Sequence, residues 1–222
     1  MTTRRRSTRT RALLTGAAVL ASLPLLRTWS LQWGATETEL DAVLPGDDLL
    51  PTADHRSTRA VTILAAPEDV WPWLVQMGQD RGGFYSYDAA ENLLGLGIRS
   101  AERIEPAWQD LQVGDAVLLA PQVPLDVVVA DRDRALVLRT PDDGGPGAPY
   151  DFTWAFVLQP APDRTTRLVV RERYAYRAGW TGLVVEPVSM VSFVMSQRML
   201  RGIRDRAERS VSAGRAPVPS DG

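Results

Sequence analysis

Apolar and polar residues alternate with a period of two along Ala116 to Ala120, Leu125 to Ala130, Ala135 to Thr140, Tyr150 to Gln159 and Arg167 to Tyr176. Turn-rich breaks separate these runs at Asp131-Arg132-Asp133, at Asp142 to Gly147 and at Pro160 to Arg164. That spacing predicts consecutive antiparallel strands of one curved sheet. The period then becomes helical over Pro187 to Arg209. Val188, Val191, Phe193, Val194, Met195, Met199, Ile203 and Ala207 form its apolar set, against Gln197, Arg201, Arg204 and Arg206. A long amphipathic helix follows from this pattern, and it is the cover that a sheet with one apolar face requires.

Ahead of the sheet, Arg59 to Leu64 reads as a first strand and Pro67 opens a helix whose first turn carries Glu68 and Asp69. Val70, Trp71, Trp73, Leu74 and Met77 give that helix an apolar stripe, and Pro72 should kink or shorten it. Gly78, Gly82 and Gly83 loosen the chain. Asp88 and Glu91 have capping-box spacing for a second short helix, Ala89 to Leu94, that Gly95 would stop.

The strand VTILAAP, followed at once by EDVWPWL, a Gly-rich turn, a second short helix, strands and a terminal helix, resembles the START-like SRPBCC superfamily of polyketide cyclases, pathogenesis-related proteins and lipid-transfer domains. The resemblance covers roughly Ser57 to Ser210. It implies an α+β helix-grip fold, a curved antiparallel sheet wrapped around the long C-terminal helix, with an internal cavity. Chemistry varies widely on such a scaffold, so the fold does not name the occupant.

The N-terminus carries a different signal. Arg4, Arg5, Arg6, Arg9 and Arg11 precede the uncharged stretch Ala12 to Leu26, which Arg27 closes. As a helix that stretch would span only about 22 Å, short of the ~30 Å hydrocarbon core, but Trp29, Leu31 and Trp33 continue its apolar character. An uncleaved signal anchor with the domain outside the cytoplasm is the favoured expectation, a cleaved export signal and a secreted domain the alternative, and a tail with no membrane role the third. Residues 1–33 are thus read as basic start and hydrophobic helix, 34–56 as a Pro-, Gly- and acid-rich linker that packs on the domain, 57–210 as the domain and 211–222 as a disordered tail.

Composition excludes several classes. The 222 residues carry a net charge of −2, so nothing overall attracts nucleic acid. There is no Cys and no Lys, hence no thiolate chemistry and no phosphate-binding G-x-x-x-x-G-K-[ST] loop. The single histidine, His55, falls in the linker, so a Ser-His-Asp triad is not expected. No metal-ligand spacing occurs, and no cofactor is implied.

Alternation selects the residues that face the enclosed space. Phe152, Trp154, Phe156 and Leu158 share one face of their strand; Leu168, Val170, Glu172, Tyr174 and Tyr176 share the matching face of the next. Arg167, Arg171 and Arg173 fall on the opposite, solvated side. An inward Glu172 must be paired, protonated or hydrogen-bonded, either as a ligand anchor or in a structural ion pair with an arginine such as Arg198. The loop and short helix supply Tyr85, Tyr87, Asp88, Glu91 and Asn92 as polar groups near a cavity mouth, although capping alone explains Asp88 and Glu91. Trp71, Trp73 and Trp108 read as packing residues. The ligand set is then Tyr85, Tyr87, Asp88, Glu91, Trp154, Glu172, Tyr174 and Met195. The favoured reading is binding of a hydrophobic or aromatic small molecule. A cyclase or dehydratase with Glu172 or Asp88 as base and Tyr85 or Tyr87 as proton donor is the second reading, and a structural membrane protein with a filled cavity the third.

Overall fold

A computed structural model describes residues 24–87, 92, 99–141 and 148–214. Residues 24–31 are helical (α1), and α2 spans Glu37–Asp41, capped by a reciprocal box between Thr36 and Glu39. Strand β1, His55–Ile63, leads into α3, Pro67–Val75. Strands β2 (Ala116–Ala120), β3 (Val123–Asp131), β4 (Ala135–Arg139), β5 (Tyr150–Ala161) and β6 (Thr165–Tyr176) follow, and α4 runs from Gly182 to Gly214. All six strands form one antiparallel sheet in the order β1-β6-β5-β4-β3-β2. Helix α4 packs on α3 and β1. This is the α+β helix-grip arrangement that the resemblance implied.

Most element boundaries follow the alternation, and the departures have physical causes. Strand β1 begins at His55, inside the segment read as linker, because His55 to Ser57 continue the ladder opposite Tyr174 to Glu172. Helix α4 starts at Gly182, so Pro187 lies inside it instead of opening it, and its end at Gly214 takes in part of the expected tail. Pro72 also lies inside its helix, which stops at Val75. The capping pair Asp88 and Glu91, with most of the helix assigned to them, lies outside the described residues, as does most of the Ala12 to Leu26 stretch.

Two expectations about faces are corrected. Arg171 and Arg173, expected in water, are 1% and 8% exposed, because α2 and the turn Asp47–Leu49 lie across the outer sheet face. Arg171 donates to Thr58 Oγ1, to Asp47 Oδ2 at 2.6 Å and to the carbonyls of Glu39, Leu40 and Ala42. Arg173 donates to Asp47 Oδ1 and to the carbonyls of Leu50 and Pro51. A small apolar layer of Leu44, Ala60, Val157 and Val169 forms beneath the strap. On α4, Val191 and Val194 are 62% and 49% exposed, whereas the expected polar-face residue Arg206 is buried against the carbonyls of Ala101 and Gly202 and the Glu102 carboxylate.

Gly202 marks the closest approach of α4 to the loop after α3. A Cβ there would stand 2.3 Å from the Tyr85 carbonyl oxygen, so only glycine lets the helix lie so near.

Buried His55 of β1 lies against the Arg27–Glu186 pair that joins α1 to α4. Its Nδ1 lies 3.5 Å from Glu186 Oε1, its ring meets Tyr174 edge-on at 5.5 Å, and Glu186 is also gripped by Arg27. Burial lowers the His55 pKa; Glu186 and Glu172 oppose the shift and Arg27 adds to it. The unfolded chain therefore takes up the proton first. Stability contributed by neutral His55 is present above about pH 6.5 and declines as pH falls below that value, by at most about 1.4 kcal/mol per pH unit. Denaturant titrations between pH 7.5 and 5 should show His55→Gln losing less stability than the parent; parallel curves would refute the assignment.

Candidate ligand-binding site

The concave face of the sheet and α4 enclose a cavity of about 290 Å³. Phe152, Trp154, Glu172 and Tyr174 line it from β5 and β6, Leu119 and Ala120 from β2, and Phe84 and Ser86 from the loop after α3. Helix α4 contributes Ser192, Met195, Ser196 and Met199, two i,i+4 pairs that share one helical face. The aromatic residues form a continuous wall: Phe152 lies 4.6 Å from Tyr174 and 6.3 Å from Trp154, and Phe84 is 6.1 Å from Trp154.

One polar cluster interrupts that wall. Glu172 is 4% exposed and accepts from Ser57 Oγ at 2.9 Å, Arg59 Nη1 at 3.1 Å, Ser196 Oγ at 3.2 Å and Ser192 Oγ at 3.4 Å. Arg59, 1% exposed, also donates through Nε to the Ser30 carbonyl of α1 and through Nη1 to Ser196. Its guanidinium stands 5.7 Å from the Phe193 ring. The partner of Glu172 is therefore Arg59, not Arg198. Alternation alone could have supplied it, since Ser57, Arg59, Val61 and Ile63 fall on one side of β1. Burial, reinforced by Glu172 and Tyr150, holds the Tyr174 phenol well above its ordinary pKa, so the ring stays neutral. The Trp154 indole N–H is buried without an acceptor among the described residues.

Four expected site residues, Trp154, Glu172, Tyr174 and Met195, thus meet at the cavity. Tyr85 does not. It is 1% exposed, donates its hydroxyl to the Trp73 carbonyl at 3.0 Å, and its ring lies under the Arg206 guanidinium at 4.7 Å. Burial pushes its pKa up, and its positive φ of 57° marks a locked turn residue. Tyr85, together with Tyr87, which is 46% exposed, borders a second, more open and more polar depression, and Asp88 and Glu91 lie outside the described residues. Trp71 and Trp73 are core residues, as expected, and Trp108 is half-buried. The contribution of Phe84 had no signal before the loop was placed, whereas helical spacing from Met195 and Met199 could have found Ser192 and Ser196. Among the described residues no group of His, Asp and Glu could hold a metal ion.

No protein-family model and no curated protein matches the chain. Solved structures resemble it in fold. Norcoclaurine synthase from Thalictrum flavum, in complex with dopamine and hydroxybenzaldehyde, is 14% identical over 73% of this chain and 89% of its own, with a TM-score of 0.43. A protein from Nitrosospira multiformis is 15% identical over 71% and 99%, with a TM-score of 0.45. CalU16 from Micromonospora echinospora is 16% identical over 71% and 86%, with a TM-score of 0.34.

Proposed function

We propose that this protein binds a hydrophobic or aromatic small molecule, such as a lipid, isoprenoid or polyketide, between the sheet and α4. The observation that carries the reading is the cavity itself: an aromatic and thioether wall with one polar cluster, the usual make-up of a small-molecule pocket. A core filled by its own side chains would not leave that volume between Trp154 and Met195. The enzyme alternative is weaker on this geometry. Both carboxylate oxygens of Glu172 already accept hydrogen bonds, and Tyr85 spends its hydroxyl on a backbone carbonyl.

Filling and enlarging the cavity test the reading in opposite senses. Met195→Trp should block uptake of the neutral fluorophore N-phenyl-1-naphthylamine while leaving the melting temperature within a few degrees of the parent. Trp154→Ala should weaken uptake tenfold or more, at a stability loss below the ~3–5 kcal/mol typical of a filled core. A full core-sized loss with unchanged uptake would show a packing residue and sink the proposal.

The same reading places the domain at a membrane through its N-terminus, outside the cytoplasm, or secretes it if the segment is cleaved. No described helix is long and apolar enough to cross a membrane. Support comes from the exposed apolar residues where the chain enters the domain: Leu25, Leu26 and Trp29 on α1, beside Leu183, Val184, Val191 and Val194 on α4. Arg27 to Glu186 and Trp29 to Phe193 contacts hold the two elements together. A reporter active only in the cytoplasm, fused after Gly222, should be silent; strong activity would reverse the assignment.

A further inference from the structure

Next to the apolar cavity lies the polar depression, and Ser86 borders both. Its basic groups are not equivalent. Arg206 is fully occupied: its three nitrogens donate to the carbonyls of Ala101 and Gly202 and to Glu102, which Arg209 also contacts. Glu102, the depression's carboxylate among the described residues, is therefore already shared between two arginines. Arg198 and Arg201 have no carboxylate partner among the described residues. Arg201 is steadied over the Trp33 ring at 5.2 Å, a contact made through the guanidinium face and not through its N–H groups. Tyr87, partly exposed at the same rim, adds a phenol O–H.

Two guanidinium groups with no carboxylate partner among the described residues thus open beside an apolar cavity. We propose that the ligand is an anionic amphiphile whose apolar chain occupies the cavity and whose phosphate or carboxylate is bound by Arg198 and Arg201. This deepens the binding reading and rests on it. The polarity of insertion follows from charge. Glu172 is neutralised by Arg59 where it meets α4 at Ser192 and Ser196, whereas Arg198 and Arg201, further along the helix, have no carboxylate partner among the described residues, so an anion is drawn to that end of the cavity. Arginine suits the task because its planar fork matches two oxygens of a phosphate or carboxylate.

Competition against N-phenyl-1-naphthylamine on the full-length chain, exchanged out of detergent, tests the proposal with decyl phosphate, decanoate, decanol and inorganic phosphate. Decyl phosphate or decanoate should displace the fluorophore at least tenfold more effectively than decanol, and the advantage should shrink as salt rises. Arg198→Gln with Arg201→Gln should abolish the advantage while leaving decanol unchanged. Inorganic phosphate alone should not displace the fluorophore. Equal displacement by the anionic amphiphiles and decanol overturns the anion site and leaves the cavity reading standing. Displacement by none of the four overturns both. An anion advantage that survives the double substitution, or that is unaffected by salt in the parent, overturns the assignment to these arginines. The salt series needs no substitution, so it decides the matter even if the double variant fails to fold.

Discussion

Arg59→Ala should be among the most damaging single substitutions, costing about 3–5 kcal/mol, because it strands the Glu172 carboxylate at 4% exposure with hydroxyl donors but no counter-charge. In a domain of this size that corresponds to a fall of roughly 6–20 °C in melting temperature. The loss reaches beyond the ion pair, since Arg59 also ties the Ser30 carbonyl of α1 and the Ser196 hydroxyl of α4 to β1. The cause can be isolated. Adding Glu172→Gln to Arg59→Ala removes the stranded charge while keeping the side chain's shape, so the double variant should be more stable than Arg59→Ala alone, a strongly non-additive cycle. Additive losses of less than about 1 kcal/mol each would instead describe a solvated pair. By the same logic Glu172→Gln alone strands the guanidinium, and its effect on ligand binding has to be read against its effect on stability.

Arg171→Ala should cost a comparable ~3–5 kcal/mol by a different route. This guanidinium serves three carbonyls of the strap, a threonine hydroxyl and Asp47, and burial already lowers its pKa, with Asp47 opposing that shift. Its loss leaves those carbonyls without that donor and removes one attachment of residues 37–49 to the outer sheet face, beside those made by Arg167 and Arg173. Amide exchange should accelerate across that segment well before the sheet itself opens. Arg171→Lys should rescue little, because one compact ammonium cannot serve acceptors spread around a planar fork. Protection of residues 37–49 unchanged in Arg171→Ala would mean that the strap is held instead by Leu44 with its apolar neighbours and by the Arg167–Glu39 and Arg173–Asp47 pairs.

These two arginines also show where the sequence was legible. Strand alternation placed β2 at its observed limits and β5 and β6 with the correct inward sets, because a two-residue period leaves each side chain only two faces. The inward Glu172 was readable for the same reason. What alternation cannot say is whether the other face meets water or another layer. Arg171 and Arg173 looked solvated because arginine usually is, and only the strap's open carbonyls and Asp47 make their burial favourable. Tyr85 was legible only in part for a related reason: it borders the polar depression, but its hydroxyl turns inward to the Trp73 carbonyl, where Gly202 lets α4 come down on its backbone. Helical periodicity likewise gave α4 its inner residues but too wide an apolar face, since Val191 and Val194 belong to the surface that α1 borders.

Pro187 makes α4 one helix in outline and two in time. Without an amide hydrogen it cannot bond the carbonyl of Leu183, so the first turn from Gly182 is joined to the remainder by one hydrogen bond fewer than a regular helical turn. The portion from Ser192 to Ala207, which walls the cavity and rests on Tyr85, belongs to the cooperative unit of the sheet. The turn ahead of Pro187, which carries Glu186 to Arg27 and His55, can fray and re-form on its own clock. Release of the Arg27 and His55 contacts at Glu186 therefore leaves standing the Ser30–Arg59 and Trp29–Phe193 contacts by which α1 reaches the cavity wall.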